Sequence, residues 1–465
     1  MRVAHLSLGD FRNYRTAELA LESGPNLLIG RNGQGKTNLV EAIAYFATLR
    51  SHRVSSDSPL IRAGCDAAVM RMRVAAAERE VSLELQLNRD RPNRAQVNRN
   101  TVRPREVTRW FSSVAFVPED LGIVRGEPST RRRFLDDALV ARLPVAAGAL
   151  SDYERVVRQR TSLLKSARAG GSRINLDATL SIWDEQLIEH GSRIMLARRE
   201  FVRDLLDPLR RGYTELVEQD HRPEVFLQES VAATAVAAVG RDVSRETLSP
   251  AELADVSRET LADEFRAALA EVRAKELERG VTLVGPHRDD LMLELNQLPV
   301  KGYASHGESW SFALSLKMAL ASILREESPA GDPVIILDDV FAELDVRRRH
   351  RLMAAVGGFE QVIVTAAVEE DVPNHATWNR SLIESGRIVD NQAVTWGSGV
   401  AGAANGSSGN GDTADVDSDI AGLENSASPE EGEVGERPAG GVTAGAEHVS
   451  EVSPGAAITT GRVES

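Results

Sequence analysis

The stretch Asn-Leu-Leu-Ile-Gly-Arg-Asn-Gly-Gln-Gly-Lys-Thr, residues 26–37, decides the fold of this chain. Its first four residues form an apolar run that predicts a buried strand, and residues 38–49 repeat apolar side chains at helical spacing. Between the two, residues 30–37 match the pattern G-x-x-x-x-G-K-[ST] in full. A strand, a glycine-rich loop and a helix in this order predict an α/β domain that binds the phosphates of a nucleotide.

The residue types of this phosphate loop each have a chemical reason. Glycines let backbone N–H groups turn toward phosphate oxygens, and the following helix adds the positive end of its dipole. We expect Lys36 to reach the β- and γ-phosphates of ATP and the Thr37 hydroxyl to hold Mg²⁺. A glycine-rich turn that arose by chance is the alternative, which the strand–loop–helix context disfavours. The expected nucleotide-binding residues of the loop are Gly30, Arg31, Asn32, Gly33, Gln34, Gly35, Lys36 and Thr37.

A second apolar run, residues 334–337, ends in Asp338 and Asp339. In a parallel sheet the carboxyl end of such a strand lies beside the phosphate loop. We therefore expect Asp338 to hold Mg²⁺ through water, as a metal ligand together with Thr37, and Asp339 to orient or deprotonate the attacking water. Lys36, Asp338 and Asp339 are the candidate catalytic residues. The alternative is a buried strand capped by an ordinary acidic turn.

The long separation between the phosphate loop and Asp338 predicts an insertion between the two halves of the nucleotide site. Residues 129–275 have a helical pattern, and strand signals return at 281–284, 291–295, 334–337 and 362–365. The predicted domains are an ATPase head made of residues 1–128 and 276–396, a helical lid at 129–275, and a disordered acidic tail at 397–465.

The composition limits the other classes of function. The tail holds 12 acidic residues against Arg437 and Arg462, which accounts for −10 of the net charge of −14, so the body is only mildly acidic and a nucleic-acid partner stays open. A single cysteine, Cys65, excludes a disulfide framework. No apolar run reaches the roughly 18 residues of a membrane span, and no secretory signal opens the chain, so we expect a cytoplasmic protein.

A third motif, Ser305-His306-Gly307-Glu308, opens an apolar helical pattern, and Phe341-Ala-Glu-Leu-Asp345 follows the acidic strand. These segments look like the signature motif and the D-loop of ABC-type ATPases, in which the signature serine and glycine bind the γ-phosphate held by the other subunit. Ser305, Gly307 and Glu308 therefore join the candidate nucleotide-binding residues. Ser305 as a helix N-cap, with Glu308 completing a capping box, is a second interpretation compatible with the first.

Seven segments, in order along residues 1–395, resemble the RecF family of SMC-like ABC ATPases. They are Leu-Gly-Asp-Phe-Arg-Asn-Tyr (8–14), the phosphate loop with Asn-Leu-Val-Glu-Ala-Ile (38–43), Phe-Val-Pro-Glu-Asp-Leu (116–121), Arg-Arg-Arg-Phe-Leu-Asp (131–136), Gly-Pro-His-Arg-Asp-Asp-Leu (285–291), and the motifs at Ser305 and Asp338. The resemblance implies a head with a helical lid, ATP-dependent homodimers, and binding to gapped or junction DNA. It also implies recombinational repair in which RecO and RecR help to load RecA, with slow ATP hydrolysis as a release switch.

The chain departs from the common ABC pattern at three positions. Where a glutamine is frequent in the Q-loop, it has Pro118-Glu119-Asp120, and where a histidine is frequent in the switch loop, it has Thr365-Ala366-Ala367. The usual small polar residue of the D-loop is Ala342. The resemblance therefore implies an intact nucleotide site but leaves the geometry of hydrolysis open.

Three other classes of protein contain similar loops. In the ATPase subunit of an ABC transporter the signature follows the phosphate loop by on the order of 100 residues, whereas Ser305 lies much further from Lys36. For an SMC- or RecN-like chromosome ATPase, residues 129–275 are too short and too broken for sustained heptads. A metabolic kinase fused to a helical domain would lack the signature motif and the D-loop.

Clusters of arginine are candidates for DNA phosphate contacts. The expected DNA-binding residues are Arg50, Arg53, Arg89, Arg91 and Arg94, the last three in asparagine- and arginine-rich turns that can reach a groove. The alternative is a solvated face in an arginine-biased protein.

One heptapeptide, Asp-Val-Ser-Arg-Glu-Thr-Leu, occurs at 242–248 and again at 255–261. A tandem duplication of helix starts, with Ser244 and Ser257 as N-caps, is one explanation. A second explanation lies in the gene, because Val-Ser-Arg-Glu-Thr can be encoded by GTT-TCA-CGT-GAA-ACA, which contains the palindrome GTTTCACGTGAAAC. This palindrome resembles parS, the site bound by the chromosome-partitioning protein ParB.

Overall fold

The computed structural model describes residues 1–76, 79–170, 176–238, 248, 253, 256–373 and 378–394. The predicted tail, residues 397–465, lies outside the described residues, as does the first copy of the heptapeptide apart from Leu248.

Strands and helices alternate along the described chain as a mixed α/β fold. The strands are β1 (Arg2–Phe11), β2 (Tyr14–Ala20), β3 (Gly24–Ile29), β4 (Ala67–Ala76), β5 (Arg79–Asn88), β6 (Arg94–Val97), β7 (Asn100–Val102), β8 (Ser113–Phe116), β9 (Glu224–Gln228), β10 (Asp290–Leu295), β11 (Leu298–Pro299), β12 (Val334–Asp338), β13 (Gln361–Ala366), β14 (Trp378–Glu384) and β15 (Arg387–Val394). The helices are α1 (Lys36–Thr48), α2 (Leu121–Arg125), α3 (Pro128–Arg142), α4 (Ala146–Arg168), α5 (Leu176–Val217), α6 (Ser230–Ala238), α7 (Arg258–Arg279), α8 (Val300–Tyr303), α9 (His306–Glu327) and α10 (Val346–Val356).

The phosphate loop follows β3, which belongs to a six-stranded sheet with the order β15-β14-β3-β13-β12-β8. All neighbours in it are parallel except β15, which pairs antiparallel with β14 at the edge. Every residue of β12 and β13 is buried, which explains why both read as continuous apolar runs. Since Ala366 pairs with Ile29 and Thr365 with Asp338, the carboxyl ends of β3, β13 and β12 meet at one edge.

An antiparallel sheet with the order β2-β1-β4-β5-β6-β7 covers the other side of α1. The predicted strands of residues 69–102 are confirmed as β4, β5 and β6 of this sheet, with the short β7 in addition. Leu39, Ile43 and Phe46 of α1 are fully buried in one core that also contains residues of both sheets. The helical period that predicts α1 therefore reflects burial between two sheets.

The predicted helical region, residues 129–275, contains α3 to α7 and also the strand β9, which the sequence pattern does not reveal. Val225 and Leu227 of β9 are buried, and β9 pairs antiparallel with β10. Because β9 has only five residues and lies between helices, its alternation of apolar and polar side chains is too short to distinguish it from a helical pattern. The predicted domain boundaries at 128 and 275 stay predictions.

The predicted strand at 281–284 is wrong, because this segment is an irregular turn after α7. Gly280 ends α7 with a left-handed φ of 69°. The backbone N–H of Leu283 then donates to the buried carboxylate of Glu276 at 2.8 Å, and the Thr282 carbonyl accepts from Arg288. Side chains satisfy this backbone, so it needs no neighbouring strand.

Two of the segments that carry the family resemblance meet at the junction of α3 and β10. Arg131 forms a bidentate ion pair with Asp290, with N–O distances of 2.7 and 2.8 Å, and both side chains are nearly buried. Arg132 donates to the backbone carbonyl of Asp289 at 2.8 Å. These contacts attach the first long helix after the Q-loop position to the strand that follows α7.

The second copy of the heptapeptide starts α7. Ser257 is the N-cap, and its hydroxyl accepts from the backbone N–H of Thr260 at 3.2 Å.

Among the residues that the structure describes, no helix combines the length and the apolar character that crossing a bilayer requires.

Candidate nucleotide site

The phosphate loop turns tightly between β3 and α1, and three of its glycines have no room for a side chain or need a left-handed backbone. Gly33 and Gly35 have φ values of 81° and 114°. A Cβ atom on Gly35 would lie 2.6 Å from the hydroxyl of Tyr14, and one on Gly30 would lie 2.2 Å from the carbonyl oxygen of Ile383. Glycine is therefore required by conformation and by close packing.

The ammonium group of Lys36 lies against its own loop. Its Nζ donates to the carbonyl oxygens of Gly30 at 2.7 Å and Arg31 at 3.4 Å, and only 3% of the residue is exposed. The two acceptors are neutral, so no carboxylate competes for the charge in these contacts. The lysine is thus held at the loop with its charge available to an anion.

The acidic strand end meets the loop as the parallel sheet requires. The Thr37 hydroxyl lies 3.2 Å from Oδ1 of Asp338 although the two residues are 301 positions apart. The Thr365 hydroxyl, at the end of β13, donates to the same Oδ1 at 2.7 Å. Asp338 is 2% exposed, and its burial raises the pKa of its carboxyl to about 6, with the charges of Asp339 and Glu119 acting in the same direction.

Asp339 occupies a strained position directly after β12. Its φ is 52°, in the left-handed region, and its backbone N–H donates to the Thr365 hydroxyl at 2.9 Å. Thr365 therefore bridges the two consecutive aspartates, at the position where the ABC pattern often has histidine. Sequence reasoning noted this position as a departure but did not reveal the bridge, because it depends on β12 and β13 being neighbours.

The site fits a magnesium ion by the chemistry of its donors. Thr37 and Asp338 supply a hydroxyl and a carboxylate oxygen, which are the hard oxygen ligands that Mg²⁺ prefers. No group of three or more His, Cys, Asp or Glu side chains suited to a metal occurs among the described residues. Nucleotide phosphates and water are the ligands that would complete a shell begun by only two protein groups.

Two turns distant in sequence clasp the outside of the loop. Asn13, between β1 and β2, donates to the Gln34 carbonyl at 3.4 Å, and Tyr14 donates to that of Gly35 at 3.1 Å. From the β14–β15 turn, the N–H of Gly386 donates to the Gln34 carbonyl at 3.1 Å, and the N–H of Ser385 donates to the Gln34 side chain at 2.5 Å. No spacing pattern indicates the support from the β14–β15 turn, which lies some 350 residues from the loop.

The signature motif starts α9 as a capping box. The Ser305 hydroxyl accepts from the N–H of Glu308 at 3.2 Å, and the Glu308 carboxylate accepts from the N–H of Ser305 at 2.7 Å. Oε1 of Glu308 also lies 3.7 Å from His221. The predicted capping arrangement is therefore present, and Gly307 lies between its two members in the first turn of the helix.

Exposed apolar side chains flank the signature motif and the D-loop. Tyr303, two residues before Ser305, is 70% exposed, and Val346, directly after Asp345, is 65% exposed. Tyr303 precedes the signature motif and Val346 follows the D-loop. In ABC-type ATPases both motifs face a second subunit.

At the Q-loop position, the two acidic residues have different environments. Asp120 is buried, accepts from the N–H of Val117 at 2.8 Å and forms an ion pair with Lys317 of α9 at 3.0 Å. Glu119 is exposed, and its charge is one cause of the raised pKa of Asp338. Asp120 therefore connects the Q-loop position to the signature helix, whereas Glu119 is the acidic group whose field reaches the candidate metal ligand.

The five arginines expected to contact DNA differ in their intramolecular contacts. Arg89 donates to Ser58 and to three backbone carbonyls, which joins β5 to the segment at 58–65. Arg91 donates to Asn88 at 3.1 Å, and both Arg91 and Arg94, at the start of β6, are exposed. Arg50 lies 3.4 Å from Glu154 and 3.8 Å from Asp137, and Arg53 donates to Asn38 at 2.9 Å. The contacts of Arg89 show a structural role for that side chain.

Several known proteins share this sequence pattern. The profile of the RecF/RecN/SMC N-terminal domain matches residues 2–384. A protein of Leifsonia xyli subsp. xyli named "DNA replication and repair protein RecF" is 54% identical over 390 residues, covering 84% of this chain and all of that protein. Proteins of the same name from Clavibacter michiganensis subsp. michiganensis and Streptomyces avermitilis are 54% and 46% identical, with 96% and 99% of their lengths covered and 84% and 83% of this chain.

Solved structures agree with this relationship. A structure of the recombination mediator protein RecF with ATP, described as part of the RecFOR pathway, superposes with a TM-score of 0.72 at 28% identity. The alignment covers 84% of this chain and 97% of that chain. The predicted fold class, an α/β ABC-type head of the SMC-like class, is confirmed by these comparisons.

Proposed function

Because the chain belongs to the RecF family of SMC-like ATPases, we propose that it is an ATP-dependent DNA-binding protein of replication and recombinational repair. ATP joins two copies on gapped or junction DNA, and slow hydrolysis separates them. The observation that carries the proposal is the contact of Thr37 with Asp338, which brings the phosphate loop and the acidic strand end together from opposite ends of the sequence.

Nucleotide binding follows from the loop. Lys36, now bonded to two neutral carbonyl oxygens, exchanges them for the β- and γ-phosphate oxygens of ATP, which carry full charge. Thr37 and Asp338 would hold Mg²⁺, which when bound would neutralise charge that develops on the phosphates. A related RecF structure contains ATP, which supports this assignment.

Hydrolysis uses the residues at the end of β12. Asp339 orients the attacking water, and Thr365 fixes Asp339 by accepting its backbone N–H. The Thr365 hydroxyl also holds Asp338 in place. A carboxylate that acts without a histidine at the switch position is a weak catalyst of this step, which agrees with ATP hydrolysis used as a release switch.

Dimerisation follows from the signature motif. The backbone N–H groups at the start of α9 form an anion site, and Ser305 and Gly307 would contact the γ-phosphate held by a second copy. Tyr303 and Val346, exposed beside the two motifs, become buried when the copies meet. Each nucleotide then lies between one phosphate loop and the partner's signature motif.

The DNA and protein partners that we propose are those that the family resemblance implies. We propose binding to DNA gaps and single-/double-strand junctions, and cooperation with RecR and RecO in loading RecA. One solved relative is described as a recombination mediator of the RecFOR pathway, which supports this part. Arg50, Arg53, Arg91 and Arg94, which are all exposed, are the candidate phosphate contacts.

Size-exclusion chromatography with light scattering tests the proposal, using the protein alone, with ATP, and with ATP and a gapped duplex. We expect dimers only with ATP, and a larger complex when the gapped duplex is added. Lys36→Ala should abolish dimerisation because the γ-phosphate loses its cation, whereas Lys165→Ala, at an exposed lysine of α4, should behave as wild type. ATP-dependent dimers of Lys36→Ala would contradict the mechanism, and a wild-type protein that ignores both ligands would contradict the function.

A further inference from the structure

The guanidinium group of Arg348 lies directly on the signature motif. Arg348 is in the first turn of α10, three residues after the D-loop aspartate Asp345. A Cβ atom on Gly307 would lie 2.6 Å from Nη1 and 3.2 Å from Cζ of Arg348. The absence of a side chain at Gly307 leaves the space that the Arg348 guanidinium occupies.

The contacts of Arg348 within the described chain use little of its hydrogen-bonding capacity. Its guanidinium forms an ion pair with Asp345 at 3.3 Å, and the Asp345 side chain is 56% exposed. Asp345 is engaged a second time, since it accepts the backbone N–H of Arg348 at 2.9 Å. A guanidinium has five N–H donors, and one screened ion pair holds it only weakly.

The surroundings of Arg348 favour an additional anion. A second guanidinium, of Arg125, reaches the same helix start, where it donates to Ser309 at 3.1 Å and lies 3.5 Å from His306. The carboxylate of the motif, Glu308, accepts the N–H of Ser305 at 2.7 Å, and the charge of Arg348 is one of the causes that lower its pKa. Two guanidinium groups therefore lie at the positive end of one helix, where the dipole favours an anion, and a bound phosphate would add to the partial compensation that Glu308 supplies.

We propose that Arg348 of one copy donates to the γ-phosphate of the nucleotide held by the phosphate loop of a second copy, beside Ser305 and Gly307. The inference rests on the proposed ATP-dependent dimer and names a further phosphate-binding residue in it. A planar guanidinium fork matches two phosphate oxygens, which the hydroxyl of Ser305 cannot do alone. Because the fork already rests on Gly307, it reaches the nucleotide without a large rearrangement of α10.

Dimerisation of Arg348 variants is the first test. Loss of one charge-assisted hydrogen bond weakens a contact by about tenfold or more. A two-fold symmetric dimer has two such contacts, so Arg348→Ala should raise the dimer dissociation constant with ATP about a hundredfold. Arg348→Lys should recover part of the loss, and Arg347→Ala, at the exposed neighbouring arginine, should leave the constant unchanged. Binding of a fluorescent ATP analogue by the monomer should be the same in all four proteins.

Complementation between two variants separates action across the dimer from a role within one copy. A labelled Lys36→Ala subunit mixed with an Arg348→Ala subunit has one complete site, in which the intact loop of the second faces Arg348 of the first. Energy transfer should therefore report ATP-dependent heterodimers at concentrations where neither variant pairs alone. The double variant Lys36→Ala/Arg348→Ala mixed with wild type offers no complete site and should give no heterodimer.

The outcomes are distinct. Heterodimers in the first mixture and not in the second support the assignment. A wild-type dimerisation constant for Arg348→Ala, or no complementation while wild type pairs normally, overturns the inference and leaves the dimer intact. A wild-type protein that fails to pair with ATP overturns the dimer itself and the inference with it.

Discussion

Replacing Arg131 by methionine should cost the protein much of its stability without changing its nucleotide site. The guanidinium gives Asp290 two hydrogen bonds and a third to the Gly126 carbonyl at 3.0 Å. The side chains are only 8% and 12% exposed, so methionine would leave a buried carboxylate whose remaining described partner is the N–H of Leu291 at 2.8 Å. Removing one partner of such a pair costs about 3–5 kcal/mol.

A double variant isolates the charge from the packing. In Arg131→Met/Asp290→Asn neither of the two positions carries a charge, and the amide oxygen still accepts from Leu291, so the loss should fall to about 1–2 kcal/mol. Arg71→Met is the matched control, because Arg71 pairs with Glu84 at 2.6 Å on an exposed surface with the arginine 57% exposed. Its loss should stay below about 1 kcal/mol.

Urea unfolding followed by circular dichroism measures these differences, and a fluorescent ATP analogue measures the nucleotide site in the native protein. The structural role of the two motifs predicts a large stability loss with unchanged affinity for the analogue. If Arg131→Met were as stable as the Arg71→Met control, or if it lost nucleotide binding at unchanged stability, the reasoning would be refuted and residues 131–136 and 285–291 would belong to the functional site.

Three further predictions concern the switch, the interface and the gene. Asp339→Asn should bind ATP and dimerise but fail to hydrolyse, so its DNA complex should dissociate more slowly in a filter-binding assay; faster release would contradict the switch. Ser305→Arg should bind ATP as a monomer and not pair, because the larger side chain fills the phosphate site at the start of α9; a wild-type dimerisation constant by light scattering would exclude the sandwich arrangement. The gene should contain GTTTCACGTGAAAC at both copies of the heptapeptide, and dissimilar synonymous codons at the two places would end that idea. Replacing the first copy, residues 242–247, with Gly/Ser codons that contain no palindrome should then leave the ATPase and DNA binding of the purified protein unchanged. At the second copy, residues 255–260, the same replacement removes the N-cap Ser257 of α7, so there the structure contradicts the expectation of a neutral change.

Local features of the molecule were predictable because neighbours in sequence determine them. The phosphate loop with its flanking strand and helix, the capping box at Ser305, and the buried strand before Asp338 each depend on residues a few positions apart. An alternation of apolar residues predicts a strand, and the spacing of glycines predicts the phosphate loop, because both patterns reflect contacts between nearby residues. The same reasoning failed at 281–284. There the backbone of an apolar run donates a hydrogen bond to the Glu276 carboxylate and not to a neighbouring strand.

The type of phosphate loop, the order of the motifs and the class of ATPase follow from residue patterns along the chain. Which distant groups complete the site follows from how the elements pack: Thr365 between Asp338 and Asp339, the Gly386 turn against Gln34, and Arg348 on Gly307. These contacts depend on the order in which strands join the sheet and on the side from which a helix approaches. Neither leaves a local period in the sequence, since a contact between residues tens or hundreds of positions apart constrains both residues without constraining their neighbours.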